Sequence, residues 1–179
     1  MRMNCFARNA ALLIALAGIS AVAQQSTGYI KTSVNPGRAG VFVDGKYMGP
    51  AANFGVSRKY AVAPGEHEVK LLDPRYEDVV TKVTIQAGKT AKISETMKPL
   101  PPAKPPFGQL HTVTADKFDA VYVNDRFMGH AGEFNNSHQS LDLNPGEYTV
   151  KIVPIAGGAP HEEHVKIEAD KVTVVKATK

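Results

Sequence analysis

Cysteine is almost missing from this chain: among 179 residues there is one, Cys5, and there is no tryptophan at all. Cys5 lies in a segment that reads as a secretory leader, so the mature protein is expected to have none. That excludes disulfides, thiolate metal sites and cysteine nucleophiles together, and leaves packing as the source of stability. Long apolar runs are missing too. The longest, residues 10–18 (AALLIALAG), is shorter than the roughly 20 residues a membrane span needs. It follows Arg2 and Arg8 and precedes Ala21-Val22-Ala23, the order of a signal peptide with positive n-region, apolar h-region and small-residue cleavage site. Residues 1–23 are read as that signal. Cleavage would leave Gln24 as the N-terminus, no membrane span, and an exported protein that is periplasmic or associated with the cell exterior. Cys5 stands before the apolar run, so no lipid-attachment motif exists. Charge of one sign is scarce as well: the formal net charge of +4 falls to +2 once Arg2 and Arg8 are removed. The signs alternate along the chain, and nucleic-acid binders carry a concentrated basic stripe, so no nucleic-acid partner is expected.

What the chain does have is an internal repeat, the signature to look for before any other. Val41-Phe42-Val43-Asp44-Gly45-Lys46-Tyr47-Met48-Gly49 matches Val121-Tyr122-Val123-Asn124-Asp125-Arg126-Phe127-Met128-Gly129 at an offset of 80. Further matches set Pro64-Gly65-Glu66-His67 against Pro145-Gly146-Glu147-Tyr148, and Val83-Thr84-Ile85 against Val165-Lys166-Ile167. Within each copy apolar residues recur with period two, as in Val69/Leu71 and Tyr148/Val150/Ile152, the mark of half-buried strands. Asp44-Gly45 and Asn124-Asp125 suit two-residue hairpins, Pro64-Gly65 and Pro145-Gly146 suit tight turns, and Gly88 and Asp170 occupy matching turns before the last strand. The pattern predicts two all-β modules of five or six short strands, each a small β-sandwich, over 28–98 and 108–178. Between them 99–107 is proline-rich and expected to form a stiff extended spacer holding the modules apart as beads. The register of the final strand stays open: Val172 and Val174 alternate in copy two, whereas Ala91 and Ile93 sit one position later in copy one.

These residues resemble the PEGA domain. Copy one carries its features at Gly28, Pro36-Gly37-Arg38-Ala39, Val41 to Gly45, Gly49, Pro64-Gly65, His67 and Val69; copy two carries them at Gly108, Val121 to Val123, Gly129, Leu143, Pro145-Gly146, Tyr148 and Val150. The name-giving turn is rearranged in copy one and replaced in copy two. The resemblance implies a β-sandwich module of extracytoplasmic surface proteins, non-catalytic, with no general ligand to carry over.

Catalytic chemistry finds little support in the residues themselves, and no cofactor is expected. The paired carboxylates Glu77-Asp78 and Glu162-Glu163 are neighbours that diverge in a strand, unlike the two acids that flank a glycosidic bond. Ser57 and Ser137, the latter beside His138, lack the strained turn that exposes a nucleophilic serine. Five of the six histidines fall in copy two, and His161 with His164 forms the candidate metal pair, although an i, i+3 spacing in an extended chain sends the two rings to opposite faces. The candidate binding residues are aromatic. If Val41/Val43 and Val121/Val123 face inward, Phe42 and Tyr122 project from the other face, joined by Tyr47 and Phe127 at matched places, as platforms for a sugar or an apolar partner. The alternative is that Tyr47/Phe127 and Phe54/Phe134 plug the ends of small sandwiches. The expectation is a monomeric, non-enzymatic binding or scaffolding protein whose partner is an envelope protein or surface polymer.

Overall fold

A computed structural model describes residues 27–55, 58–101, 105–135 and 138–177. The leader, Ser57, Ser137 and linker residues 102–104 lie outside that set. Among the described residues each module has seven strands, one or two more than the periodicity suggested. The first comprises β1 (Gly28–Asn35), β2 (Gly40–Val43), β3 (Lys46–Pro50), β4 (Tyr60–Val62), β5 (Gly65–Leu72), β6 (Val79–Ile85) and β7 (Thr90–Thr96). The second comprises β8 (Gly108–Thr114), β9 (Ala120–Val123), β10 (Arg126–His130), β11 (Leu141–Leu143), β12 (Gly146–Val153), β13 (His161–Ile167) and β14 (Val172–Ala177). In each, a three-stranded sheet (β4-β1-β7 or β11-β8-β14) faces a four-stranded one (β3-β2-β5-β6 or β10-β9-β12-β13). The second module repeats the first strand for strand, including the parallel pairing of first and last strands.

The turns explain the alternation. Asp44 and Gly45, and Asn124 and Asp125, all have positive φ, the left-handed pair that matches a hairpin turn to the twist of its strands. Asp44 and Asn124 also tie these turns to β5 and β12: Asp44 Oδ1 accepts the Glu68 N–H at 3.0 Å and Asn124 Oδ1 accepts the Thr149 N–H at 2.9 Å. Gly88 and Asp170 share the left-handed conformation expected of them. Inward positions form one core per module, around Ile30, Val41, Val69 and Leu71 in the first and Leu110, Val121, Val150 and Ile152 in the second, all fully buried. A hydroxyl stands in each core, and neither is orphaned: Thr32 donates to the Ala51 carbonyl and Thr112 to that of Ala131. Phe134 is a core residue, and Phe54 packs on the first core stacked with Tyr60.

One open question is settled and one expectation needs correction. The last strand of module two puts Val175 in the core, level with Thr112, as Ile93 is level with Thr32; Val172 and Val174 point out to solvent, 52% and 45% exposed. The modules are also not beads on a spacer. A third apolar cluster, Phe42, Ala120 and Phe127 with Tyr47, Leu72, Tyr122 and Val153, lies across the boundary between them. The start of the linker folds back as well, with Pro99 bridging to Tyr76 and the Leu100 N–H donating to the Arg75 carbonyl.

Candidate functional site at the joint between the modules

The joint grows from two cross-strand aromatic pairs. Phe42 opposes Tyr47 on β2 and β3, and Tyr122 opposes Phe127 on β9 and β10. Val41 and Val43, or Val121 and Val123, take the inner face of each strand, so period two drives these rings outward, where each pair meets the other. Phe42 meets Phe127 edge-on at 5.3 Å between centroids, Tyr47 lies 5.5 Å from Phe127, and Tyr122 meets Phe127 edge-on at 5.7 Å, the tilted and T-shaped geometry favoured by ring quadrupoles. Gly40, Phe42, Tyr47 and Leu72 of one module are the counterparts of Ala120, Tyr122, Phe127 and Val153 of the other, so the two halves contribute equivalent surfaces.

One end of the joint is polar and breaks that symmetry. His130, 4% exposed, places its ring between Arg38 and Tyr47 of module one. Its Nε2 lies 2.6 Å from the Arg38 carbonyl oxygen, which can only accept, so Nε2 carries the proton; Nδ1 then accepts from the Tyr47 hydroxyl, which also lies 3.3 Å from the Phe118 carbonyl. Burial pushes the His130 pKa below its ordinary value, against the opposing pull of the Arg38 carbonyl and the Glu133 carboxylate, and the ring is neutral. Beside it, Asp73 accepts from Arg38 Nε at 2.8 Å and from Arg75 Nε at 3.0 Å, while Arg75 Nη2 reaches Glu133 of module two at 3.0 Å. Burial alone would raise the Asp73 pKa; hydrogen bonds from Arg75 and Arg38 outweigh it and hold the carboxyl below its usual range. Ile155 of module two also packs towards Gly49 of module one. Next to the polar end runs a groove of about 550 Å³ between Arg75, Tyr76 and Leu100 on one side and Arg126, Met128 and Leu141 on the other.

Phe42, Tyr47, Tyr122 and Phe127 are therefore brought together, but not as open platforms: Phe42 and Phe127 are 6% and 5% exposed, and the two tyrosines are half-buried. The rings leave the core as the pattern predicts, and the other module covers them. His161 and His164 are not brought together. On β13 they are level with Ile152 and Thr149; His161 opens on a cavity of about 360 Å³ with Asp116, Asp119 and Pro160, and His164 on a separate groove, its Nδ1 2.9 Å from Thr149 Oγ1. No cluster of three or more metal-ligating side chains occurs among the described residues. Sequence reasoning missed His130, Glu133, Arg38, Asp73 and Arg75. The one signal available was departure from the repeat, since the matching positions are Pro50, Asn53, Phe118, Pro154 and Ala156.

Fold and joint together define a class: a tandem pair of seven-stranded sandwiches docked face to face. The family model for the PEGA domain matches residues 27–101, which span the whole first module. Among solved structures, the Bacillus anthracis TIE protein is similar at 16% identity and a TM-score of 0.31, over 86% of this chain and 33% of that one; the chain spans a third of that protein's length. No curated protein matches the chain. Among the described residues, no helix is long and apolar enough to cross a membrane.

Proposed function

We propose that this chain is a non-enzymatic, exported binding or scaffolding protein of the cell envelope, periplasmic or outside, acting as a braced pair of modules. The observation that carries the reading is the joint. Four aromatic side chains and the Asp73, Arg75 and Glu133 bridge fix the two sandwich modules in one orientation, so the outer faces of both are held at a set spacing, as a scaffold requires. The PEGA match over 27–101 and the leader pattern of residues 1–23 support the compartment. Fractionation of the host cell tests it. The tagged chain should be recovered with the envelope or periplasm, beginning at Gln24, and should crosslink there to a wall or membrane component; recovery from the cytosol with Met1 in place overturns the reading.

A further inference from the structure

The outer face of the β4-β1-β7 sheet gathers three lysines within one small area. Its outward positions are Ala61 on β4, Tyr29, Lys31 and Ser33 on β1, and Thr90, Lys92 and Ser94 on β7. Lys31 and Lys92 are register partners on adjacent parallel strands, which sets two lysines side by side. Lys59, just before β4, holds its ammonium 3.5 Å from the centroid of the Tyr29 ring, and Lys89 accepts the Tyr29 N–H on its carbonyl at the same end. None of the outward positions of these strands holds a carboxylate. Six lysines elsewhere are matched, Lys70 to Glu68, Lys82 to Glu66, Lys98 to Glu77, Lys151 to Asp125, Lys166 and Lys171 to Glu168, each within 4 Å, while Lys46, Lys117 and Lys176 stand apart from one another on other elements. Lys59 and Lys92 have no such partner among the described residues.

Module two supplies the internal comparison. The same grid positions there are Asp142, then Gln109, His111 and Val113, then Val172, Val174 and Lys176. The fold therefore does not demand lysines at these places.

We infer that the β4-β1-β7 face of module one binds a linear carboxylated polysaccharide. This deepens the scaffolding reading and rests on it. Clustered cations on a flat sheet raise the local concentration of an anionic chain and speed its capture, and the hydroxyls of Ser33, Thr90 and Ser94 between them offer donors and acceptors to sugar oxygens. A membrane fits less well, because interfacial binding needs exposed apolar anchors beside the basic residues, and the face has none beyond Tyr29, which Lys59 covers. Single-stranded nucleic acid wants open aromatic platforms for stacking, and the same capped ring leaves none.

The test is equilibrium binding of the mature chain to polygalacturonate, with neutral dextran, phosphatidylglycerol vesicles and a DNA oligonucleotide as comparisons. Polygalacturonate should bind, more weakly as salt rises from about 50 to 300 mM because screening shortens the reach of exposed charges. K59Q/K92Q should weaken binding about tenfold, while K82Q/K166Q, which removes the same charge from other faces, should change it less than twofold. All four lysines are exposed, so melting temperatures should stay within a few degrees and losses report on binding. No binding to polygalacturonate, equal losses in both double variants, or preference for vesicles or DNA overturns the inference. Envelope recovery that is unchanged in K59Q/K92Q would also overturn it, while leaving the scaffolding reading standing.

Discussion

At the scale of single residues, His130 and His67 pull stability in opposite directions with pH. His130 is neutral in the fold, its pKa depressed by burial below the ordinary 6.5. As pH drops below 6.5 the unfolded chain takes up the proton first, so stability falls until the folded-state pKa is reached. His67 is the reverse: the hydrogen bond to Asp44, 2.6 Å from Nδ1, raises it, and the same bond lowers Asp44. The contribution of that pair is whole between the unfolded values of 3.8 and 6.5. It is lost as pH rises through the folded His67 pKa or falls through that of Asp44. Melting temperature measured from pH 5 to 8 should therefore decline on acidification in His67→Tyr and on alkalinisation in His130→Asn, with the wild type flatter than either. Tyr148, the module-two counterpart of His67, donates to the Asn144 carbonyl as His67 approaches that of Ala63, which makes His67→Tyr a replacement the fold already uses. Asp73→Asn removes a carboxylate from between two guanidiniums. Because Arg38 and Arg75 are 40% and 47% exposed, the cost should be about 2 kcal/mol by denaturant titration, below the value for a fully buried pair. This polar cluster left only its departure from the repeat in the sequence, since Arg38, Asp73 and Glu133 are distant in the chain and follow no spacing rule.

At the scale of elements, hairpin geometry was the most legible part of the chain, because turn chemistry is local. Gly45, with φ of 78° and no atom near its missing β-carbon, isolates the dihedral cost. Gly45→Ala should destabilise by about 1 kcal/mol, and Gly45→Asp by less, because Asp125 holds the matching place at φ 61° and aspartate tolerates that region. Strand faces were legible where one side is dry. They were not on β14, where Val172, Val174 and Val175 give the pattern no preference and only tertiary packing selects Val175. Three-residue β4 and β11 escaped notice because each follows a loop and carries too few residues to show a period. The aromatic pairs were half legible: their exit from the core follows from alternation, but what they meet lies 80 residues away in sequence.

At the scale of the whole molecule, the joint should make the two modules unfold as one. Phe127→Ala removes the ring that all three of the other aromatics touch and should cost about 3 kcal/mol, splitting a single calorimetric transition into two. Gly40→Ala does the same more gently, since a β-carbon there would lie 2.6 Å from Phe127 Cζ; small-angle scattering should show the radius of gyration growing in both variants. The cationic face belongs to this scale as well. Lys31, Lys59 and Lys92 are spread through a sequence whose charges alternate, and only the pairing of β1 with both β4 and β7 gathers them. Because the halves of the joint are built from matching positions, either module severed from its neighbour would carry a sticky aromatic surface suited to its own twin. Such fragments should form homodimers at moderate concentration, and two intact chains could exchange halves into a reciprocal dimer on refolding.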